Sequence, residues 1–186
     1  MKVICSIGCL AVAMAFISLA LAQTPAPSTA PAALKVGDKA PNFKLQASDG
    51  KTYNLSDFEG KKAVALAWFP AAFTQGCTIE CKSLAEHGDL IKKYEVAYFM
   101  ISVDPLEKNT DFAKEHKADF PLLSDPTKGT ATAYGVLGNR GVANRWTFYI
   151  GKDGKIQAID KAVKPATSAE DLAAKLGELG VAKAAQ

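Results

Sequence analysis

Two stretches of this chain are apolar almost throughout, Ala63 to Phe69 (AVALAWF) and Val96 to Val103 (VAYFMISV). A strand with one wet face alternates apolar and polar residues, so a continuous run of strand length predicts a strand buried on both faces. Such strands lie inside a sheet that is covered on both sides, which confines the chain to layered folds. The punctuation around them supplies the other layers. Phe43-Lys44-Leu45 reads as a short strand, Ser48-Asp49-Gly50-Lys51 as a hairpin turn and Thr52 to Leu55 as the return strand. A helical turn is expected at Ser56-Asp57-Phe58. Helices are expected over Thr78 to Lys93, Glu107 to Lys117 and Thr127 to Tyr134. Phe120 to Leu123 reads as an edge strand, because an edge tolerates Pro121. Trp146 to Ile150 and Lys155 to Ile159 form a second hairpin around Lys152-Asp153-Gly154. Ser168 is expected to cap a last helix with acids in its first turn and Gly180 beyond its end. Strands alternating with helices and finishing on a hairpin and a helix give an α/β sandwich with a mixed central sheet.

The first residues belong to a different regime. Met1-Lys2 opens with a charge, Val3 to Leu21 carries none, and Ala20-Leu21-Ala22 gives a small-x-small cleavage pattern. This reads as a secretory signal peptide over 1–22, and so as export to a periplasmic or other extracytoplasmic compartment. A retained membrane anchor is the alternative; Cys9 comes too early in the run for a lipoprotein site. Residues 23–34 (QTPAPSTAPAAL) lack apolar periodicity and read as a Pro/Ala-rich linker, leaving 35–186 as one domain. The remaining composition, 48% hydrophobic and 22% charged, suits one domain with a real core. Net charge is only +3 and no basic run reaches five residues, so nucleic-acid and membrane-surface partners have no support.

Removal of 1–22 would take Cys5 and Cys9 with it, leaving Cys77 and Cys81 out of four cysteines. A bridge closing so small a loop constrains an unfolded chain little, so the pair is placed for chemistry more than for stapling. Cys77 falls between the buried strand and the next helix, in Pro70-Ala71-Ala72-Phe73-Thr74-Gln75-Gly76-Cys77. There the unpaired N–H groups and the dipole of a helix N-terminus favour an anionic sulfur, and the thiolate is the nucleophile. A lone cysteine at a helix start is more often a small buried hydrophobe, but a second cysteine one turn away and Thr74 three residues before it count against that.

With its surroundings, this segment resembles the peroxiredoxin family, whose active site is Pro, three residues, Thr, two residues and Cys. Pro70, Thr74 and Cys77 fit that spacing, Val36 to Phe43 looks like the family's domain opening, and Leu55-Ser56-Asp57-Phe58 with Gly60-Lys61 like its approach to the active-site strand. The nearest branch is the bacterioferritin-comigratory or Q-type. The resemblance implies a thioredoxin-like three-layer sandwich with its mixed central sheet flanked by helices. It implies a peroxidase acting on hydrogen peroxide and organic hydroperoxides, with Cys77 the attacking thiolate, Cys81 the resolving cysteine and no metal or organic cofactor. Thr74, Gly76 and the backbone amides near the cysteine would bind the peroxide, Pro70 would shield the thiolate, and an arginine would complete the pocket. The chain's two arginines are Arg140 and Arg145, and Arg145, just before Trp146 to Ile150, matches the family's position. Glu80 would orient it. A thioredoxin-like or other dithiol would be the reductant, and the protein would work as a monomer or weak dimer.

One departure matters: the branch's resolving cysteine usually follows four residues, and Cys77 to Cys81 leaves three. Positions i and i+4 on a helix have Cα atoms about 6.2 Å apart, inside the disulfide window, but their Cβ atoms stand farther apart than the preferred ~3.8 Å. The first turn must therefore loosen for a bridge to form, and a mechanism with Cys81 as bystander is the alternative. Other readings on the same fold are an exported thiol-disulfide oxidoreductase, which lacks its Cys-x-x-Cys here, and a Cu(I)-binding chaperone, which lacks a histidine beyond His116. Zinc bound by the two cysteines and two histidines fails the usual ligand spacing. His87 and His116, among polar neighbours, are expected to be exposed.

Overall fold

A computed structural model describes residues 33–185; the signal peptide read over 1–22 and nearly all of the linker read over 23–34 lie outside them. The described chain builds one sheet of seven strands: β1 (Lys44–Ala47), β2 (Thr52–Asn54), β3 (Ala63–Trp68), β4 (Val96–Ser102), β5 (Leu122–Ser124), β6 (Thr147–Ile150) and β7 (Ile156–Asp160). Their order is β2-β1-β5-β4-β3-β6-β7. The central β5-β4-β3 pairings are parallel and the flanking ones antiparallel, a mixed sheet. Parallel neighbours need a crossover, and helices supply it. Helices α1 (Gln75–Glu86) and α2 (Gly88–Lys92) join β3 to β4, and α3 (Leu106–Glu115) joins β4 to β5. Because both crossovers step the same way along the sheet, right-handedness puts them on the same face.

The two apolar runs are buried as their composition demands. Ala65, Ala67 and Phe69 of the first and Tyr98 and Met100 of the second face α1, α2, α3 and the C-terminal α5 (Ser168–Glu178) through Leu84, Ile91, Phe112, Leu172 and Leu176. The alternate residues Val64, Leu66, Trp68, Phe99 and Ile101 face the opposite core, with Tyr134, Phe148 and the short α4 (Gly129–Ala133). Leu34, at the end of the segment read as linker, packs against this second core.

Four local readings change. Phe120 to Leu123 is not an edge: β5 lies between β1 and β4. Pro121 precedes the strand, so its missing N–H interrupts no ladder bond, and Leu122 N–H donates to the Ser48 hydroxyl at 3.0 Å. The helix expected over Thr78 to Lys93 starts three residues earlier, at Gln75, and breaks at His87. At the break Gly88 lets the chain pass close to Tyr98, whose hydroxyl would stand 2.8 Å from a Cβ there. Ser168 does not cap α5: Thr167 is the N-cap, its hydroxyl donating to Asp171 at 2.8 Å, and Ser168 is the buried first helical residue. His87 is half-exposed beside Glu170, but the His116 side chain is 7% exposed, edge-on to Phe112.

Candidate active site

The site forms where β3 ends and α1 begins, at the carboxyl end of the parallel strands. Thr74 holds extended backbone (φ −88°, ψ 150°) as the N-cap of α1, and its carbonyl accepts the Thr78 N–H at 2.9 Å. Cys77 is thus the third residue of the helix, inside the first turn, where backbone N–H groups lack partners within the helix. Its side chain, like that of Cys81 one turn on, has no exposed surface, and both are free thiols within one core cluster.

Arg145 arrives from the neighbouring strand. β6 pairs antiparallel with β3, with Ala67 opposite Thr147 and Trp68 N–H donating to the Trp146 carbonyl at 2.8 Å. That register sets Arg145, just before β6, beside the loop that follows β3. Its Nη2 donates to Cys77 Sγ at 3.2 Å, and its Nη1 donates to Glu80 Oε2 in a close ion pair. The contact places a charged N–H donor directly on the sulfur. Gly76 makes room for it: a Cβ there would lie 3.1 Å from Nη2. Of the residues expected to serve the site, Arg145 therefore contacts both Cys77 and Glu80 and passes close to Gly76. The Thr74 hydroxyl is turned to the Ala71 carbonyl, donating at 2.9 Å, and Pro70 lines a cleft next to Arg145.

The electrostatics follow from burial. Glu80 is wholly buried, and burial pushes its carboxyl from the usual 4.5 up to about 7, although Arg145, and Ser168 to a lesser degree, pull it down. Oε1 of that carboxylate has no hydrogen-bond partner. Burial also works against the charge on Arg145, but Glu80 and Cys77 outweigh it, so its pKa is raised and it stays cationic. Burial, with the charges of Glu80 and Cys77, pushes the Cys81 thiol up to about 12, so it is protonated at neutral pH.

Two supports were missed in the sequence. Asp104, after β4, accepts the Ala72 N–H of the active-site loop at 2.8 Å and the Ser102 hydroxyl at 3.2 Å, and pairs with Lys108 at 2.7 Å. Phe73 turns the loop into α1 with φ +66°, a left-handed conformation costly for a bulky residue. Its ring stacks edge-on against Phe112, centroids 5.2 Å apart. Among the described residues no three or more His, Cys, Asp or Glu side chains are grouped to hold a metal ion, and no peptide bond is cis.

The AhpC/TSA family model matches residues 36–159, most of the described chain. The chain belongs to the AhpC/TSA family. Within it, the chain is 37% identical to peroxiredoxin Bcp of Escherichia coli K12 over 133 residues, 68% of this chain and 85% of that protein. Among solved structures, peroxidoxin BcpB from Mycobacterium tuberculosis superposes with a TM-score of 0.71 at 30% identity, covering 78% of this chain and 97% of that one. PrxQ from Xylella fastidiosa gives a TM-score of 0.73 at 22% identity, covering 80% and 99%, and shares the fold. The family resemblance read from Pro70, Thr74 and Cys77 therefore holds, as does the thioredoxin-like α/β sandwich.

Proposed function

We propose that this chain is a thiol-dependent peroxidase in which Cys77 attacks the peroxide and Cys81 resolves the product. The observation that carries this reading is the single guanidinium of Arg145, held by buried Glu80 and donating to Cys77 Sγ at 3.2 Å. In the first step the Cys77 thiolate attacks the terminal oxygen of a hydroperoxide. An S–O bond forms as the O–O bond breaks, the leaving oxygen takes a proton to become water or an alcohol, and Cys77 becomes a sulfenic acid. Arg145 faces both the sulfur and the oxygens on which charge develops, and stabilises them there. Backbone N–H groups of the first turn of α1 supply further donors, and Pro70 limits access by water. The absence of exposed surface on Cys77 favours small reactants over bulky thiol reagents.

Cys81 then attacks the sulfenic sulfur. A disulfide forms, and the hydroxyl leaves as water with the proton Cys81 brings. Because that thiol is buried and protonated, resolution requires the first turns of α1 to loosen, which also brings the two Cβ atoms within bridging distance. An external dithiol of the thioredoxin type returns both thiols. With both sulfurs on one helix the cycle is complete in a monomer. An extracytoplasmic location is supported by the sequence of residues 1–22 alone, and the N-terminus of the protein recovered from its native host tests it.

Peroxide consumption with a dithiol reductant tests the assignment of the two sulfurs. Cys77→Ser is expected to abolish turnover, and Cys81→Ser to oxidise once and stall. Retained turnover in the first would remove the proposal; undiminished steady-state turnover in the second would leave Cys77 acting alone.

A further inference from the structure

We infer that the first turn of α5 clamps α1 from Glu80 to His87, so that the resolving step opens the helix only ahead of Glu80. Cys77 then travels while Cys81 keeps its place, and Ser83 is the positioning residue that holds it. This rests on the reading of Cys81 as the resolving cysteine.

Helix α1 is held unevenly. Residues 80, 83 and 87, spaced by three and four, share one face, and each meets one of the three residues that open α5. The Ser168 hydroxyl faces the Glu80 carboxylate and pulls its pKa down. Ser83 Oγ accepts the Ala169 N–H at 3.2 Å, and His87 Nδ1 lies 2.6 Å from Glu170 Oε1. The middle contact is a cap supplied from outside α5. Thr167 turns its hydroxyl to Asp171 and bonds no backbone N–H, so the N–H of Ala169, in the first turn, is satisfied by a side chain of α1. Ser83 and Ala169 are both buried, and Leu84 lies beside them in one core with Leu172 and Leu176 of α5.

The front of α1 has no such hold. Over residues 73–79 only Cys77 is buried, while Phe73, Thr74, Gln75 and Ile79 are exposed. Phe73 enters the helix at φ +66°, and Gly76 weakens a helix from within. A helix opens first where it is held least. Bridging asks only that the two Cβ atoms close to about 3.8 Å, which release of one turn supplies. Glu80, bound to Arg145 and facing α5, ends that turn, so Arg145 stays seated on Glu80 while Cys77 leaves it.

The test follows amide exchange by NMR in the reduced protein and in the Cys77–Cys81 disulfide made with one equivalent of hydrogen peroxide. Amides 78–82, whose helical acceptors are residues 74–78, should lose at least about ten-fold in protection on oxidation, whereas those of Leu84 to His87 and of Ala169 should change less than about two-fold. Quenched-flow alkylation then separates the two chemical steps in Ser83→Ala. Disulfide closure should be roughly two- to ten-fold slower, the worth of one hydrogen bond, because an unanchored Cys81 is no longer pre-positioned; the preceding oxidation of Cys77 should keep its rate. Loss of protection that spreads to Leu84–His87 or Ala169 would overturn the clamp, as would closure in Ser83→Ala that is unchanged or faster. The exchange pattern needs no variant and decides the matter where Ser83→Ala is too unstable to prepare. Failure of peroxide to produce any Cys77–Cys81 disulfide would be a different result, removing the resolving role of Cys81 itself.

Discussion

Replacing Gly76 by alanine separates what the first turn of α1 does for stability from what it does for chemistry. The new methyl carbon would lie 3.1 Å from Arg145 Nη2, whereas ordinary contacts of this kind lie at 3.4–4 Å. The guanidinium must therefore retreat by about 0.3 Å to reach ordinary contact. Carried into the 3.2 Å contact with Cys77 Sγ, that movement lengthens it to about 3.5 Å. At an effective dielectric constant near 20, the attraction between guanidinium and thiolate then weakens by about 0.4 kcal/mol. If the transition state feels the same loss, Cys77 oxidation slows roughly two-fold. Stability should move the other way or not at all, because alanine costs less backbone entropy in a helix than glycine, by about 0.5–1 kcal/mol. Stopped-flow oxidation and urea unfolding on the same preparation read both effects. An unchanged oxidation rate would refute the argument that Gly76 makes room for Arg145; a rate loss matched by a loss of stability would mean general damage instead.

Two further perturbations address the supports of the site. Asp104→Ala deletes the acceptor of the Ala72 N–H and should cost about 1.5–3 kcal/mol in urea unfolding, as for a hydrogen bond to a charged group, with a several-fold slower Cys77 oxidation. Asp104→Asn, which keeps a carbonyl oxygen there, should recover most of both, and full activity in the alanine variant would show that the loop does not need this anchor. For Glu80, burial holds the carboxyl near 7 in the folded protein against an ordinary 4.5, so between those values the native state binds a proton that the unfolded chain has released. That contribution to stability is fully present below about pH 4.5 and is lost as pH rises through 7. Urea unfolding between pH 5 and pH 8 should therefore show the unmodified protein losing stability relative to Glu80→Gln, and the reverse trend would mean the Arg145 pairing outweighs burial.

The parts of the fold that were legible in the sequence are those where one local pattern has one physical cause. AVALAWF and VAYFMISV could only be strands with two buried faces, and alternate residues do enter the two opposite cores. Errors arose where a residue's meaning depends on distant chain. Pro121 suggested an edge, but β1 returns to pair with β5 just beyond it. His116 looked exposed by its polar neighbours, yet α3 turns its ring onto Phe112. The start of α1 lies earlier than the pattern predicts because Gln75 and Gly76 carry no apolar periodicity; extended Thr74 stands at the N-cap position, its carbonyl accepting the Thr78 N–H. The site divides in the same way. Cys77 and Cys81 declare themselves by spacing, but Arg145 meets Cys77 across 68 positions, and no local pattern encodes that contact. Family resemblance supplied it. The roles of Gly76 as clearance for the guanidinium and of Asp104 as anchor of the loop needed the three-dimensional contacts, since in the sequence they are a glycine before a helix and an acid after a strand.

The central claim is that Cys77 and Cys81 form one peroxide-reducing unit, and stopped-flow mixing of the reduced protein with one equivalent of hydrogen peroxide tests it most directly. Trp146 is the internal reporter, next in the chain to Arg145 with the Lys161 ammonium 4.3 Å from its ring centroid; thiol titration and peptide mapping follow the sulfurs. The account predicts a fast fluorescence change, loss of both thiols and a Cys77–Cys81 disulfide as the only product. Oxidation no faster than that of an unactivated thiol, or rapid oxidation that leaves Cys81 reduced, would contradict it.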